Sequence, residues 1–207
     1  MRIGAYLDYA WETFKQHTAG LVAAAFCLEL LQLVCQRVLG EAVSWQLAIV
    51  SSLLLTGLVA GGLMVSAREA MQGRAPTLGE AFRPFRERQG DYLLVGLALG
   101  GGLLACGVGV IVTSLLFLFA PLLVAQGVDF KTALVRSKDV VLDNLGDCIV
   151  LYLVLGAINA LGVITIVGWL ISLPLTAITL TKAYEELSRP EILPGDATAG
   201  IASGTGI

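Results

Sequence analysis

From Cys148 to Thr181 the chain runs 34 residues without an Asp, Glu, Lys, Arg or His. A twin lies upstream: Tyr92 to Val128, framed by Asp91 and Asp129, is equally free of them. One membrane helix needs about 20 apolar residues and at least about 17. Each stretch is too long for one comfortable span and just long enough for two short ones joined by a turn. Both are therefore expected to be helical hairpins, and that expectation sets the topology of everything else.

Composition points to the same solvent. Only 14% of the 207 residues are charged, against about 25% in a soluble domain, and the mean hydropathy is +0.83. No basic stripe runs outside the short inter-span segments, so no nucleic-acid partner is expected. Cys27, Cys35, Cys106 and Cys148 all fall in or beside apolar runs with no CxxC or Cys/His spacing. They read as buried free thiols rather than a zinc site or a disulfide framework. Residues 1–18 scatter Arg2, Asp8, Glu12 and Lys15 among aromatics, without the continuous apolar run of a signal peptide.

In chain order, Ile3, Leu7, Ala10, Trp11 and Phe14 repeat at helical spacing opposite Asp8, Glu12, Lys15 and Gln16. Such a pattern predicts an amphipathic helix lying in the membrane interface, with Tyr6 and Trp11 at headgroup depth and His17 as a boundary residue. Ala19 to Leu39 is the first expected span. Arg37, Gly40, Glu41 and Ser44 should make a short polar turn, and Trp45 should anchor the second span, Gln46 to Ala67. Gly57 and Gly61 in that span allow another helix to approach closely. Within the arginine-rich segment Arg68 to Asp91, Thr77 and Glu80 read as a capping box. A second interfacial helix should follow, cut short by Pro84. The first charge-free hairpin comes next, with Gly107 and Gly109 near its middle and Pro121 in its return arm. Asp129 to Asn144 forms a third amphipathic segment, its apolar side made of Phe130, Ala133, Leu134, Val141 and Leu145. The last hairpin should turn between Gly162 and Gly168, with Trp169 near the tip and Pro174 in the return arm.

The expected fold is thus an all-α integral membrane bundle of six transmembrane helices in three hairpins, each preceded by an interfacial amphipathic helix. Residues 1–187 form a polytopic membrane domain. Residues 188–207, with Pro190, Pro194 and a Gly/Ala/Thr/Ser run, cannot bury a core and are expected to be a disordered cytoplasmic tail. With both termini cytoplasmic, twelve of the thirteen Lys and Arg lie inside and only Arg37 outside. Treating each charge-free stretch as one span moves Lys131, Arg136 and Lys138 outside, and the positive-inside rule favours the hairpins. A shift of 56 residues lays Gly90-Asp91 on Gly146-Asp147 and Leu97, Leu99 and Gly100 on Leu153, Leu155 and Gly156. That register points to a repeated unit. Against fully spanning hairpins stand the apolar tips, Cys106–Thr113 and Gly162–Trp169, which lack the polar residues of a water-exposed turn.

Glu29 is the side chain most suggestive of function. An ionisable residue inside a span costs about 2.5–3.5 kcal/mol or more and by default marks a working site. Gln32 and Gln36 continue its face, a stripe that could line a path or simply bond Ser51, Ser52, Thr56 or Asn159 across a helix interface. Arg74, Arg83, Arg86 and Arg88 are expected at lipid headgroups. Asp139, Asp143 and Asp147 recur every fourth residue. They read as a solvated acidic face beside Arg136 and Lys138 rather than a cation site. Thr113, Ser114, Ser172, Thr176 and Thr179 are placed to satisfy carbonyls freed by Pro121 and Pro174. No HExxH, GxSxG, P-loop or dinucleotide fingerprint occurs, and the single histidine sits at a helix end. The expectation is a protein that is not an enzyme and carries no metal or cofactor.

The order of parts has a family look. An opening AWETFK helix, a Gly-rich span running into SAREAMQGRAPTLGEAFRPF, then APLLVAQGVDFKTALVRSKDVVLDN and a closing KAYEEL resemble a broad group of small bacterial inner-membrane proteins of uncharacterised function. The pattern is similar also to the membrane domain fused to some glycerophosphodiester phosphodiesterases. Ala133, Leu134, Ser137 and Asn144 carry its most specific part. The resemblance implies six helices in the bacterial inner membrane and no agreed activity. The expected role is a lipid- or partner-binding structural protein, its partners being membrane lipids and a protein subunit or second copy. A small transporter using Glu29, Gln32 and Gln36, or a membrane-shaping hairpin protein, are the alternatives.

Overall fold

The computed structural model describes residues 3–42, 45–101 and 108–188, with side chains throughout except at 39–49, 101, 108, 110, 166 and 167. Every regular element among them is a helix. In order they are α1 (Ile3–Gln16), α2 (Thr18–Ala42), α3 (Trp45–Met71), α4 (Leu78–Ala81), α5 (Arg83–Arg86), α6 (Gln89–Gly101), α7 (Val108–Leu116), α8 (Ala120–Ala125), α9 (Phe130–Asp143), α10 (Leu145–Ile164) and α11 (Ile166–Leu187). Three stretches are long and apolar enough to cross a membrane: Thr18–Val38, Val50–Met71 and Leu145–Ile164. Ile111–Ala125, through α7 and α8, is apolar but shorter. Phe26, Leu30, Leu33, Val34 and Val38 on α2 stay exposed, as do Ile149, Val150, Leu153, Leu161, Val163 and Ile164 on α10. A patch of that extent is a liability in water and the normal surface in lipid.

Half of the apolar window of α3 is buried, against 22% in α2 and α10, so α3 is the interior helix. It packs on α2, α6, α8 and α11. The reason is written in its glycines. A Cβ on Gly57 would stand 1.9 Å from the Tyr92 carbonyl oxygen, and one on Gly96 would stand 2.4 Å from that of Leu53. Gly61 seats the Tyr92 ring and Gly100 seats the Leu53 side chain. Backbones of α3 and α6 therefore touch, and the small-residue face is filled from within the chain rather than by a second copy.

Contacts recur in a cycle. The amphipathic α4 and α5 lie on α3, α9 lies on α8, and α1 lies on α11. Consecutive pairs α2–α3, α6–α7 and α10–α11 pack together, and α6 meets α3, α10 meets α7 and α2 meets α11. Each three-part segment thus leans on the one before it, with the first closing onto the last. Asp91 and Asp147, the residues matched by the 56-residue shift, both sit in the first turn of a helix, where a carboxylate favours the helix dipole. Gly100 and Gly156 do not share a role, since nothing approaches Gly156 within 4 Å.

Several local expectations need correction. Helix α2 runs to Ala42, so Arg37, Gly40 and Glu41 belong to its last turns rather than to a polar turn, and Ser44 lies outside the described residues. The anchoring of Trp45, the tip at Cys106 and Gly107, and the tail after Ser188 fall outside the described residues or side chains. Leu145 is exposed and opens α10, whereas Ser137 joins Ala133 and Val141 on the buried face of α9. The last turn falls where expected, at Thr165 between Gly162 and Gly168. Pro84 divides the second amphipathic segment as anticipated, at Phe82 between α4 and α5. The Thr77 hydroxyl accepts the Glu80 N–H at 3.3 Å.

Pro121 breaks the helix at whose middle it lies, leaving α7 and α8 separated by the turn Phe117–Phe119. A proline has no N–H to give and its ring displaces the preceding carbonyl. The expected remedy was a hydroxyl on the same arm. Instead Ser137 crosses from α9, accepting the Phe119 N–H at 3.1 Å and donating to the Leu116 carbonyl at 3.0 Å. Thr113 and Thr179 donate to Gly109 and Leu175, each one turn back. Pro174 lies inside α11 without ending it.

Candidate functional site

Helices α2, α3 and α11 leave a groove of about 450 Å³ between them. Its walls are apolar, with Phe26, Leu30 and Leu33 from α2, Leu63 from α3 and Leu173 from α11, and Trp169 stands at one end. Thr56 adds a hydroxyl from α3, and three polar side chains enter from α2: Glu29, Gln32 and Gln36. Helical geometry explains the set: offsets of three and four residues keep successive side chains on one face. Glu29 lies eleven residues into α2, or about 16 Å along its axis, near the middle of the apolar stretch Thr18–Val38.

The Gln36 side-chain amide donates to the Ser52 hydroxyl at 2.8 Å, tying α2 to α3 at one end of the stripe. Neither Glu29 nor Gln32 has a hydrogen-bond or ion-pair partner among the described residues. No Lys or Arg lines the groove. The sequence had joined Asn159 to this set, and the structure separates it. Its amide donates to Leu155 and to Thr176 at 2.9 and 2.8 Å, linking α10 to α11, while its own carbonyl oxygen is buried without a partner.

The four arginines expected at headgroups all have partners within the chain. Arg74 bonds Glu69 and Gln72, and Arg83 meets Glu87 at 2.8 Å and Glu80 at 3.7 Å. Arg88 pairs with Asp91 at 2.7 Å. Arg86 reaches only the Gly79 carbonyl, at 3.2 Å. The bond to Glu87 raises the Arg83 guanidinium further above its ordinary value. At the start of α9, the Thr132 N–H donates to Asp129 at 3.0 Å and holds that carboxyl below the usual range.

No group of three metal-ligating side chains occurs among the described residues. Asp139 and Asp143 are exposed, with Lys138 beside Asp139 at 3.6 Å. Cys27, Cys35 and Cys148 are free thiols. The chain matches no family model, no curated protein and no solved structure. Its resemblance to small inner-membrane proteins therefore rests on the sequence pattern alone.

Two features of the site had a signal that sequence reading passed over. Gly96 and Gly100 form a second small-xxx-small pair in α6, the direct complement of Gly57 and Gly61. Trp169 reaches the groove because the tight turn at Thr165 returns α11 alongside α2, a closure that spacing within one helix does not reveal.

Proposed function

We propose that this chain is a non-enzymatic inner-membrane bundle whose α2–α3–α11 groove binds a lipid-like amphiphile through Glu29. The bundle has six spans in three hairpins, with both termini cytoplasmic. The observation that carries the reading is an unpartnered carboxyl group in an apolar cavity of about 450 Å³. Ligand sites are typically of this size, apolar, and marked by a few orienting polar groups. The volume corresponds to about fifteen water-sized groups, enough for one acyl or isoprenoid chain segment. At mid-bilayer depth Glu29 is out of reach of ordinary headgroups. Its complement is an amphiphile with a hydroxyl or ammonium group on an otherwise apolar body. The cost of leaving a carboxyl unpaired in a span, about 2.5–3.5 kcal/mol or more, is offset when such a group binds.

Native mass spectrometry of the purified chain tests this directly. Wild type should carry one amphiphile per copy. Glu29→Gln, which removes the charge, and Ala60→Phe, which fills the groove from α3, should each lose it while keeping the wild-type melting temperature. Equal retention by all three proteins would reject the groove.

A transporter is the second reading, favoured by the alignment of Glu29, Gln32 and Gln36 along one wall. It requires pH-driven flux in proteoliposomes that disappears in Glu29→Gln. The binding reading expects no flux from either protein.

A further inference from the structure

A second pocket lies at the other end of α3, where α5, α6 and the turn after α8 converge. It encloses about 230 Å³ and is lined by Arg68, Arg83, Arg88, Glu87 and Tyr92, with Gln126 and Gly127 across from them. Three guanidiniums thus arrive from three separate pieces of chain: the last turn of α3, helix α5, and the link into α6. The carboxylates Glu80, Glu87 and Asp91 engage Arg83 and Arg88. None engages Arg68. Its one hydrogen bond among the described residues is to the Ala125 carbonyl, at a long 3.4 Å, and the neighbouring Glu69 carboxylate feels its charge.

Two further observations mark this as a built site. Tyr92 is 4% exposed, held by its ring against Gly61, and its hydroxyl, with no hydrogen-bond partner among the described residues, keeps accessible surface where the residue lines the pocket. The phenol feels the charges of Arg83 and Arg88 and, against them, those of Asp91 and Glu87. Arg88 itself has a φ of +55°, alone among the described non-glycine residues. That left-handed conformation costs any residue with a Cβ and is natural to glycine. Residues held so are found where the surroundings, or a function, require the side chain. Here the side chain lines the pocket, and Asp91 braces it from behind while its other oxygen accepts the Phe130 N–H at 3.3 Å.

We propose that Arg68, Arg83, Arg88 and Tyr92 form a receptor for one phosphate group. A guanidinium presents paired N–H donors that match phosphate oxygens, and the unpartnered phenol supplies another donor. The volume holds about seven or eight water-sized groups, so a phosphate and a few attached atoms fit and an acyl chain does not. Both a phospholipid headgroup, approaching beside the amphipathic α5, and a free phosphate offer this chemistry. Arg74 and Arg86 lie outside the pocket. The proposal is independent of the Glu29 groove, which lies elsewhere on α3.

The test uses the full chain in neutral detergent at constant ionic strength, titrated in one arm with inorganic phosphate and in the other with phosphatidylglycerol in mixed micelles. Thermal shift and native mass spectrometry are the readouts. Saturable one-to-one binding is expected. Response to inorganic phosphate identifies a free phosphate site, and response to phosphatidylglycerol alone identifies a headgroup site. Arg68→Gln should weaken binding at least about tenfold, the equivalent of 1.4 kcal/mol. Arg88→Gly should weaken it while leaving the ligand-free melting temperature equal or higher, because glycine relieves the backbone. Arg86→Gln should bind as wild type. Absence of saturation in both arms overturns the proposal. So does a loss in Arg86→Gln equal to that in Arg68→Gln, which would mark diffuse surface attraction.

Discussion

Replacing Ser137 by alanine should destabilise the protein by about 2–3 kcal/mol. The side chain is 0% exposed and holds two backbone groups that the break at Pro121 leaves without helical partners. The Phe119 N–H is the costly one. It belongs to a residue that is itself 0% exposed, and an orphaned buried donor costs about 1–3 kcal/mol. The Leu116 carbonyl adds a smaller amount. Interhelical hydrogen bonds in membranes average only about 0.6 kcal/mol, because the separated groups usually find other partners. Phe119 has none within reach, so the larger figure applies. Ser66→Ala is the matched control. Ser66 is 1% exposed, but its hydroxyl donates to the Gly62 carbonyl one turn back in its own helix. That carbonyl already belongs to the helical ladder, and such back-bonding slightly destabilises a helix. Reversible unfolding in detergent micelles should therefore separate two identical substitutions at identical burial. A difference below about 0.5 kcal/mol would refute the claim that Ser137 repairs the broken arm.

Other consequences follow from the same contacts. Gly57→Ala and Gly96→Ala should each cost about 1–3 kcal/mol or more, since their Cβ atoms have only backbone to meet. Gly156→Ala, with nothing within 4 Å, should be neutral or gain up to about 1 kcal/mol from helix propensity. Unfolding measured on all three checks both. The Tyr6 hydroxyl donates to Glu186 at 2.7 Å. Burial and that carboxylate raise its pKa from 10.0 to about 12. Its stabilisation is then complete below pH 10 and is lost as pH climbs through about 12. Tyr6→Phe should lower stability by about 1 kcal/mol at neutral pH and flatten that alkaline decline, as melts across pH will show.

The helical character of the fold was legible because it is written in local pattern. Runs without charge, amphipathic faces before them, and proline at Pro84 and Pro121 mark elements that local chemistry decides. Where two helices meet is decided elsewhere. Gly57 declared a close approach, but its partner Gly96 is separated from it by the whole arginine-rich segment. Ser137 read as an ordinary polar residue, because the groups that it serves sit on another helix. Asn159 bonds Thr176 of α11 and does not line the Glu29 groove, and no spacing rule within α10 could say so. Glu29, Gln32 and Gln36 could be grouped from the sequence since one helical face carries all three. The apolar walls from α3 and α11 that turn this stripe into a groove are tertiary. The Arg68–Arg83–Arg88 cluster likewise assembles from separate segments: Arg83 and Arg88 were expected at lipid headgroups, and no spacing joined Arg68 to them.

Both proposed sites depend on the proposed topology, in which the Glu29 groove lies in the bilayer and the arginine pocket at its cytoplasmic face. Reporter fusions after Glu41, Gly90, Asn144 and Leu187 measure it most directly, and the decisive junction is Asn144, between α9 and α10. The account predicts a periplasmic signal after Glu41 and cytoplasmic signals after Gly90, Asn144 and Leu187. A periplasmic signal at Asn144 would mean that Tyr92–Val128 crosses only once, and would contradict the account.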